Sequence, residues 1–368
     1  MKAAVLHAKR DLRYEDYPDP VLKEGEVLIR VRAAGICGSD LPRVLGDGAH
    51  FFPVVLGHEF SGEVAAIAGG ADTALRVGDK VTAAPLKPCH ACEDCARGWY
   101  SLCKRYSFIG SREQGAFAEY VAAPAGNVVR LPDNADFVAA ALIEPMTVAL
   151  HGFSLLGAGG GTVAGDGADV GDGTAAARSG IAGQDVAIVG CGTIGILAIL
   201  CARQLGARRV AALDISPERL SLARKMGADA VYLSDDAEQG EYAYANVGAG
   251  YSRVMETAGA EEAVTTCLAI AANRGRVMLV GTPTRDVCFT VKEFETLNRK
   301  ELYMGGSWMS YSAPFPGGEW LEAARLLGGG EIDVGGLIDA CVPLSDAAAQ
   351  FNRYLTPGDV KGKIILLP

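Results

Sequence analysis

The chain has 368 residues, 49% of them hydrophobic, which is past the size at which a single core usually stops growing, so two domains are expected. Its 34 Lys and Arg against 44 Asp and Glu give a formal charge of −10 without a long basic run, which argues against nucleic acid or an anionic membrane as the main partner. The start, Met1-Lys2-Ala3-Ala4-Val5-Leu6-His7, lacks the apolar core of a signal peptide, and no run of about 18 uncharged apolar residues follows, so the expected location is the cytoplasm.

Up to about Leu131, short Val/Ile-rich runs such as Val27 to Val31, Gly62 to Val64 and Asp79 to Val81 are broken by Gly, Pro and Asp, the pattern of a strand-rich domain. Within it, Cys89-x2-Cys92-x2-Cys95-x7-Cys103 places four thiols in one short loop (89–103), close enough to wrap a tetrahedral ion. Four thiolates suit zinc, and a closed four-sulfur shell leaves no open position, so its role is structural. Ferredoxins share the first spacings but continue with a shorter gap and Cys-Pro, which is absent here. His90 lies in the loop as an exposed bystander, and Cys191, Cys201, Cys267, Cys288 and Cys341 are read as small core residues.

Residues 157–183 are mostly Gly, Ala, Asp and Thr, too poor in large apolar groups to build core, and are read as a surface insertion without chemistry. From Gln184 the rhythm turns to strand and helix in alternation: Val186 to Val189, Thr193 to Leu205, Val210 to Leu213, Glu218 to Met226, Arg253 to Met255, Ala263 to Ala272 and Val277 to Val280. That is the pattern of a parallel sheet with helices on its faces. The first strand runs into Gly190-Cys191-Gly192-Thr193-Ile194-Gly195, and the second ends at Asp214, nineteen residues after Gly195. Glycines there allow a tight turn and close approach of a pyrophosphate, Thr193 and Ile194 open the helix whose amides face it, and Asp214 accepts from ribose hydroxyls. An acidic residue would repel a 2′-phosphate, which favours NAD over NADP. Arg219 is a candidate to stack on adenine, with a solvated helix position as the alternative. After about Phe289 the pattern is mixed until a last strand, Lys363 to Leu367, in a tail long enough to return to the first domain.

Cys37, His58, Glu59 and Glu144 each sit beside a turn-forming residue, and loops could gather them, although residue type alone does not make them catalytic. Gly35-Ile36-Cys37-Gly38-Ser39-Asp40 and Gly57-His58-Glu59-Phe60-Ser61-Gly62, followed in order by the four-cysteine loop and the glycine fingerprint, resemble the medium-chain zinc-dependent alcohol dehydrogenases. The resemblance implies an α/β protein: a GroES-like β-rich catalytic domain (1–152 with 290–368) and a Rossmann doubly wound parallel-sheet domain (153–289). Ile143-Glu144-Pro145-Met146-Thr147-Val148 with His151 resembles the polyol branch of that family. Gly38 to Arg43, Gly48 to His50, Phe108 to Arg112 and Gly306 to Met309 resemble its members that oxidise galactitol 1-phosphate to tagatose 6-phosphate.

That match implies a second, catalytic zinc on Cys37 and His58, with Glu59 and Glu144 as competing carboxylates. One thiolate, one neutral imidazole and one carboxylate make a neutral zinc site, whereas a second carboxylate weakens its Lewis acidity, so one is expected to bind at a time. Ser39 is implied as the proton relay, with His50 as its extension or a substrate contact. Arg43 and Arg112 are candidates for a substrate phosphate, and Trp308 and Met309 for the site wall, while Glu256 resembles a cofactor-lining position. The expected substrate is a small polyol or polyol phosphate oxidised to a ketose by NAD, and the expected state a homo-oligomer. An unphosphorylated polyol, of the sorbitol or xylitol type, is the alternative. A binding-only protein of this fold would have no chemical need of Cys37, His58, Glu144 and Ser39 together.

Overall fold

Alternate burial along Glu26–Gly35 marks the central strand of the N-terminal part. In the computed structural model, residues 1–157, 180–234 and 250–368 are described; the expected insertion at 157–183 lies outside them apart from its ends. The described chain divides into two units, Met1–Glu144 with Tyr311–Pro368, and Pro145–Ser310.

In the first unit a seven-stranded sheet runs in the order Val128–Arg130, Lys80–Ala83, Glu59–Ile67, Glu26–Gly35, Lys363–Leu367 and Ile338–Pro343, with Tyr120–Pro124 also paired to Glu26–Gly35. The tail does return: Ile365 lies opposite Gly35 and Leu366 opposite Ala34, antiparallel. A three-stranded sheet of Asp11–Asp16, Lys2–Ala8 and Val54–Val55 lies beside it, and both feed one core that includes Val5, Ile29, Phe60, Phe117, Phe351 and Ile364.

In the second unit all six strands are parallel, ordered Ala230–Leu233, Arg209–Asp214, Asp185–Val189, Tyr251–Glu256, Ala271–Leu279 and Tyr303–Gly306. This is the doubly wound order, with the direction of winding reversed between Asp185–Val189 and Tyr251–Glu256. Helices Thr193–Gln204, Pro217–Lys225 and Glu261–Ile270 connect strands, the second capped by the Ser216 side chain and started by Pro217. The helix expected to reach Ala272 ends at Ile270, and the next strand begins at once. Among the described residues no helix is long and apolar enough to cross a membrane.

A Cβ on Gly195 would run into the Gly190 carbonyl oxygen and would lie 2.9 Å from Thr257 Oγ1, so this position tolerates only hydrogen. Gly195→Val is expected to destabilise the protein by about 1–3 kcal/mol through overpacking and to abolish dinucleotide binding. Thermal melts and titration of the dinucleotide by fluorescence check both.

Candidate metal and dinucleotide sites

The four-cysteine loop is closed at its base by Leu86–Lys87 paired antiparallel with Ser107–Phe108. Its sulfurs all lie within 4.8 Å of one another, with Cys92 to Cys95 at 3.5 Å, Cys92 to Cys103 at 3.9 Å and Cys89 to Cys95 at 4.0 Å. A tetrahedron with zinc–sulfur bonds of about 2.3 Å has edges of about 3.8 Å, so the cage fits that ion. Hydrogen bonding from Ala91 takes the Cys89 thiol down to about 6, and bonding from Cys95 lowers Cys92. Burial pushes Cys95 up to about 12. His90 makes T-shaped ring contacts with Tyr100 and Phe315 and is not in the cage.

The second cluster forms where Glu26–Gly35 ends and Glu59–Ile67 begins. Ligand atoms of Cys37, His58 and Glu59 lie within 4.8 Å of one another. Cys37 caps the short turn Gly38–Asp40: its sulfur accepts from Ser39 N at 3.4 Å and from Ser39 Oγ at 3.3 Å. A thiolate, an imidazole and a carboxylate are a borderline-soft donor set of the kind zinc takes with a position left open.

Asp40, which the sequence reading left unassigned, completes this arrangement. Fully buried, it accepts from Cys37 N at 3.1 Å through Oδ2, and its Oδ1 stands 3.5 Å from His58 Nδ1. Neither Oδ1 nor Nδ1 has a hydrogen-bond partner, so both are poised for the proton that a metal-binding imidazole donates outward. Burial raises the Asp40 carboxyl, opposed by His58 and by Arg43, whose Nη1 lies 3.6 Å away. The signal was a carboxylate three residues after Cys37, the spacing of a capping box.

Glu59 is held from the other side by Lys363, with both side chains almost wholly buried. Glu144, in the first turn of Ile143–Gly157, falls outside the close cluster. Burial takes its carboxyl up to about 7, with His58 opposing the rise and Glu59 adding to it. Burial likewise pushes the Cys37 thiol up, with Glu59 adding to the rise.

Ser39 is exposed, and its hydroxyl accepts from Arg43 Nη1 at 3.0 Å, which also donates to the Ser39 carbonyl at 2.5 Å. Arg43 is thus folded over Ser39. Arg112 is exposed over the Tyr106 ring at 4.7 Å. Its turn is anchored by Arg112 N to the Phe108 carbonyl, and Phe108 meets the His58 ring edge at 5.6 Å. Burial lowers the exposed His50 in pKa, and the positive charges of Arg112 and Arg43 lower it further.

In the second unit Gly190 adopts φ +96°, where a Cβ would also lie 2.8 Å from Ala258 N. Gly192 caps the helix that Thr193 and Ile194 open. Asp214 pins this loop: Oδ2 accepts from Cys191 N at 2.6 Å and Oδ1 from Ser216 N at 2.8 Å, leaving lone pairs for further donors. Arg219 Nη1 lies 3.9 Å from Asp214 on a half-exposed side chain. Buried Glu256 accepts from Ala258 N and Gly259 N at 2.6 and 2.7 Å, so its carboxylate shapes the neighbouring turn. Trp308 is exposed. Of the five cysteines read as core, Cys191, Cys201 and Cys267 are buried, but Cys288 and Cys341 are exposed. Cys341 lies on Ile338–Pro343, at the end of the sheet order, where one face lacks cover.

Asp40→Asn keeps the shape and removes the charge facing His58. It is expected to weaken zinc binding at the Cys37 cluster by about 10- to 100-fold while sparing the four-cysteine cage. Chelator competition on the full-length protein measures both.

Residues 23–133 match the family model described as alcohol dehydrogenase GroES-like domain, and residues 193–327 that described as zinc-binding dehydrogenase. The sequence is 38% identical, over 100% of both chains, to galactitol 1-phosphate 5-dehydrogenase of Escherichia coli (strain K12). It is 32% identical to sorbitol dehydrogenase of Bacillus subtilis (strain 168), over 100% of this chain and 97% of that one. The crystal structure of galactitol-1-phosphate dehydrogenase from Escherichia coli matches with a TM-score of 0.87 at 38% identity, covering 100% of both chains. With the two clusters and the glycine loop in place, the chain belongs to the zinc-dependent alcohol and polyol dehydrogenases, oxidoreductases acting on CH–OH groups with zinc and a nicotinamide dinucleotide.

Proposed function

We propose that the protein oxidises a polyol phosphate, most closely galactitol 1-phosphate to tagatose 6-phosphate, with NAD and two zinc ions per chain. The observation that carries the chemistry is the gathering of Cys37, His58 and Glu59 with the Ser39 hydroxyl against the Cys37 sulfur. When bound at Cys37, His58 and Glu144, zinc supplies a Lewis acid for the substrate oxygen, while the nicotinamide ring takes up hydride. Ser39 Oγ stands beside Cys37 on the exposed side and hands the substrate proton toward solvent, with His50 the next acceptor. Arg43 fixes the Ser39 hydroxyl by donating to it. Asp40 Oδ1, 3.5 Å from His58 Nδ1, is placed to accept the imidazole proton and so orient the ring when a metal is bound.

The phosphate reading is supported by two cationic side chains, Arg43 and Arg112, whose charges both lower the pKa of the exposed His50. A dianion set among them would gain charge-assisted hydrogen bonds that a free polyol cannot make. The 38% identity to a galactitol 1-phosphate 5-dehydrogenase supports the same substrate, and the 32% identity to a sorbitol dehydrogenase keeps the free polyol as the competing one. Asp214 supports NAD, since its buried carboxylate would oppose a 2′-phosphate. A homo-oligomer in the cytoplasm belongs to the same proposal and is read by sedimentation and fractionation.

The test is turnover of galactitol 1-phosphate against galactitol, sorbitol and xylitol, with NAD and NADP side by side; faster turnover of a free polyol overturns the phosphate assignment. Arg112→Ala is expected to raise KM for the phosphate ester by about tenfold or more and leave that for free polyols unchanged. Glu144→Ala is expected to lower bound zinc from two ions to one and to end activity, and two ions in that variant would refute the ligand assignment.

A further inference from the structure

We propose that Arg253 and Arg276 form a binding site for a phosphoryl dianion on the parallel-sheet unit, apart from the glycine loop. The inference goes beyond the dehydrogenase reading and does not depend on it. The two residues lie opposite each other on neighbouring parallel strands, and Arg276 in turn lies opposite Tyr303, so all three side chains leave the same face of the sheet. Arg276 Cζ stands 5.6 Å from the centre of the Tyr303 ring, which is half exposed.

Register brings the two cations together. Tyr251 is paired with Ala271, so regular pairing would set Asn273 opposite Arg253; an irregularity in between brings Arg276 there instead. Bulges of this kind re-aim side chains. Like charges directly opposite one another are destabilising unless an anion stands between them. Burial lowers the pKa of half-buried Arg253, and the charge of Arg276 lowers it further.

Among the described residues no carboxylate pairs with either guanidinium, whereas Arg203, Arg208 and Arg219 of the same unit each meet an aspartate. The partners present are carbonyls. Arg253 Nε donates to Gly180 at 3.1 Å and its Nη1 to Ser252 at 2.9 Å, and Arg276 Nη2 reaches Leu155, in the last turn of Ile143–Gly157, at 3.5 Å. These contacts aim the two forks and leave Arg253 Nη2 and Arg276 Nε and Nη1 without a partner among the described residues. None of those nitrogens is sealed from solvent. Two guanidiniums with open donors suit a doubly charged tetrahedral oxyanion, which accepts bidentate, charge-assisted hydrogen bonds from each and balances both charges. Arg253 stands three residues before Glu256, about 10 Å along the strand, so the site is separate from the turn that Glu256 shapes.

The experiment follows thermal unfolding of the full-length, zinc-loaded protein at fixed ionic strength, with chloride replaced by inorganic phosphate or by glycerol phosphate. The dianion is expected to raise the midpoint of the parent by about 2–4 °C. Arg253→Gln and Arg276→Gln should lose that rise while keeping the parent's response to the dinucleotide. No rise in the parent with either anion, or an equal rise in both variants, overturns the proposal. So does a rise that follows protein concentration instead of phosphate, since an acidic group of a second copy would then neutralise the pair. A rise with inorganic phosphate assigns the phosphoryl group itself as the ligand, a rise with glycerol phosphate alone makes the ligand an organic phosphate, and both support the site. Should the glutamine variants fail to fold, Arg276→Lys decides. It keeps the charge and loses the fork, so it should need about tenfold more phosphate for the same rise, and an unchanged requirement overturns the proposal.

Discussion

The antiparallel pairing of the C-terminal strand Lys363–Leu367 with Glu26–Gly35 is the constraint on which the reactive cluster of the first unit depends. Ile36 N donates to the Ile364 carbonyl at 3.0 Å and Lys363 Nζ to the Ile36 carbonyl at 3.0 Å, so the residue before Cys37 is held on both its polar groups. Because side chains alternate across a strand, a slip of one residue would turn Lys363 away from Glu59 and leave a buried carboxylate alone. Burial by itself would lower the Lys363 pKa, yet Glu59 and Cys37 raise it above the ordinary value, so the ammonium keeps its charge.

Buried carboxylates do the same structural work at the loops of both units. Asp40 accepts from Cys37 N, Asp214 from Cys191 N and Ser216 N, and Glu256 from Ala258 N and Gly259 N. Each lies at or just beyond a strand end, where backbone amides leave the sheet and would otherwise be unpaired. An acid that satisfies those amides fixes the loop in a single shape before any ligand arrives, and such pre-organisation is what a binding loop needs. Burial raises Asp40 and Glu256, and the backbone amides pull both back down. Part of the acidity in the net charge of −10 is therefore internal scaffolding.

How much of this could be read from the sequence follows from what each signal depends on. The strand runs Val186 to Val189 and Val210 to Leu213, the glycine loop and the four-cysteine spacing are local signals; both strands form where expected, and the four sulfurs lie within 4.8 Å of one another. The strand Tyr303–Gly306 was hidden, because half of its residues are glycine and its side chains are mostly exposed, so it carries no apolar run. Lys363 was unreadable as a site residue: its partner lies 304 positions away, and only the register of the sheet joins them. Asp40 was closer to hand, but a carboxylate in a turn ordinarily caps a backbone amide, and nothing local shows that its second oxygen faces His58. Arg43 is a candidate for a substrate phosphate by sequence, and its donors are turned back onto Ser39 in the structure.

The two carboxylates that the sequence left in competition stand in different surroundings: Glu59 is in the close cluster and paired with Lys363, and Glu144 lies outside that cluster. Glu59 is neutralised by Lys363, and Asp40 lies beside the Arg43 guanidinium, so neither pair contributes net charge. The other acidic groups close to His58 are the Cys37 thiol and the Glu144 carboxyl. Burial drives these two groups, and Asp40 with them, toward their protonated forms, Cys37 well above the usual thiol range and Glu144 up to about 7. Acidic groups that resist ionising until a cation arrives release protons on metal binding.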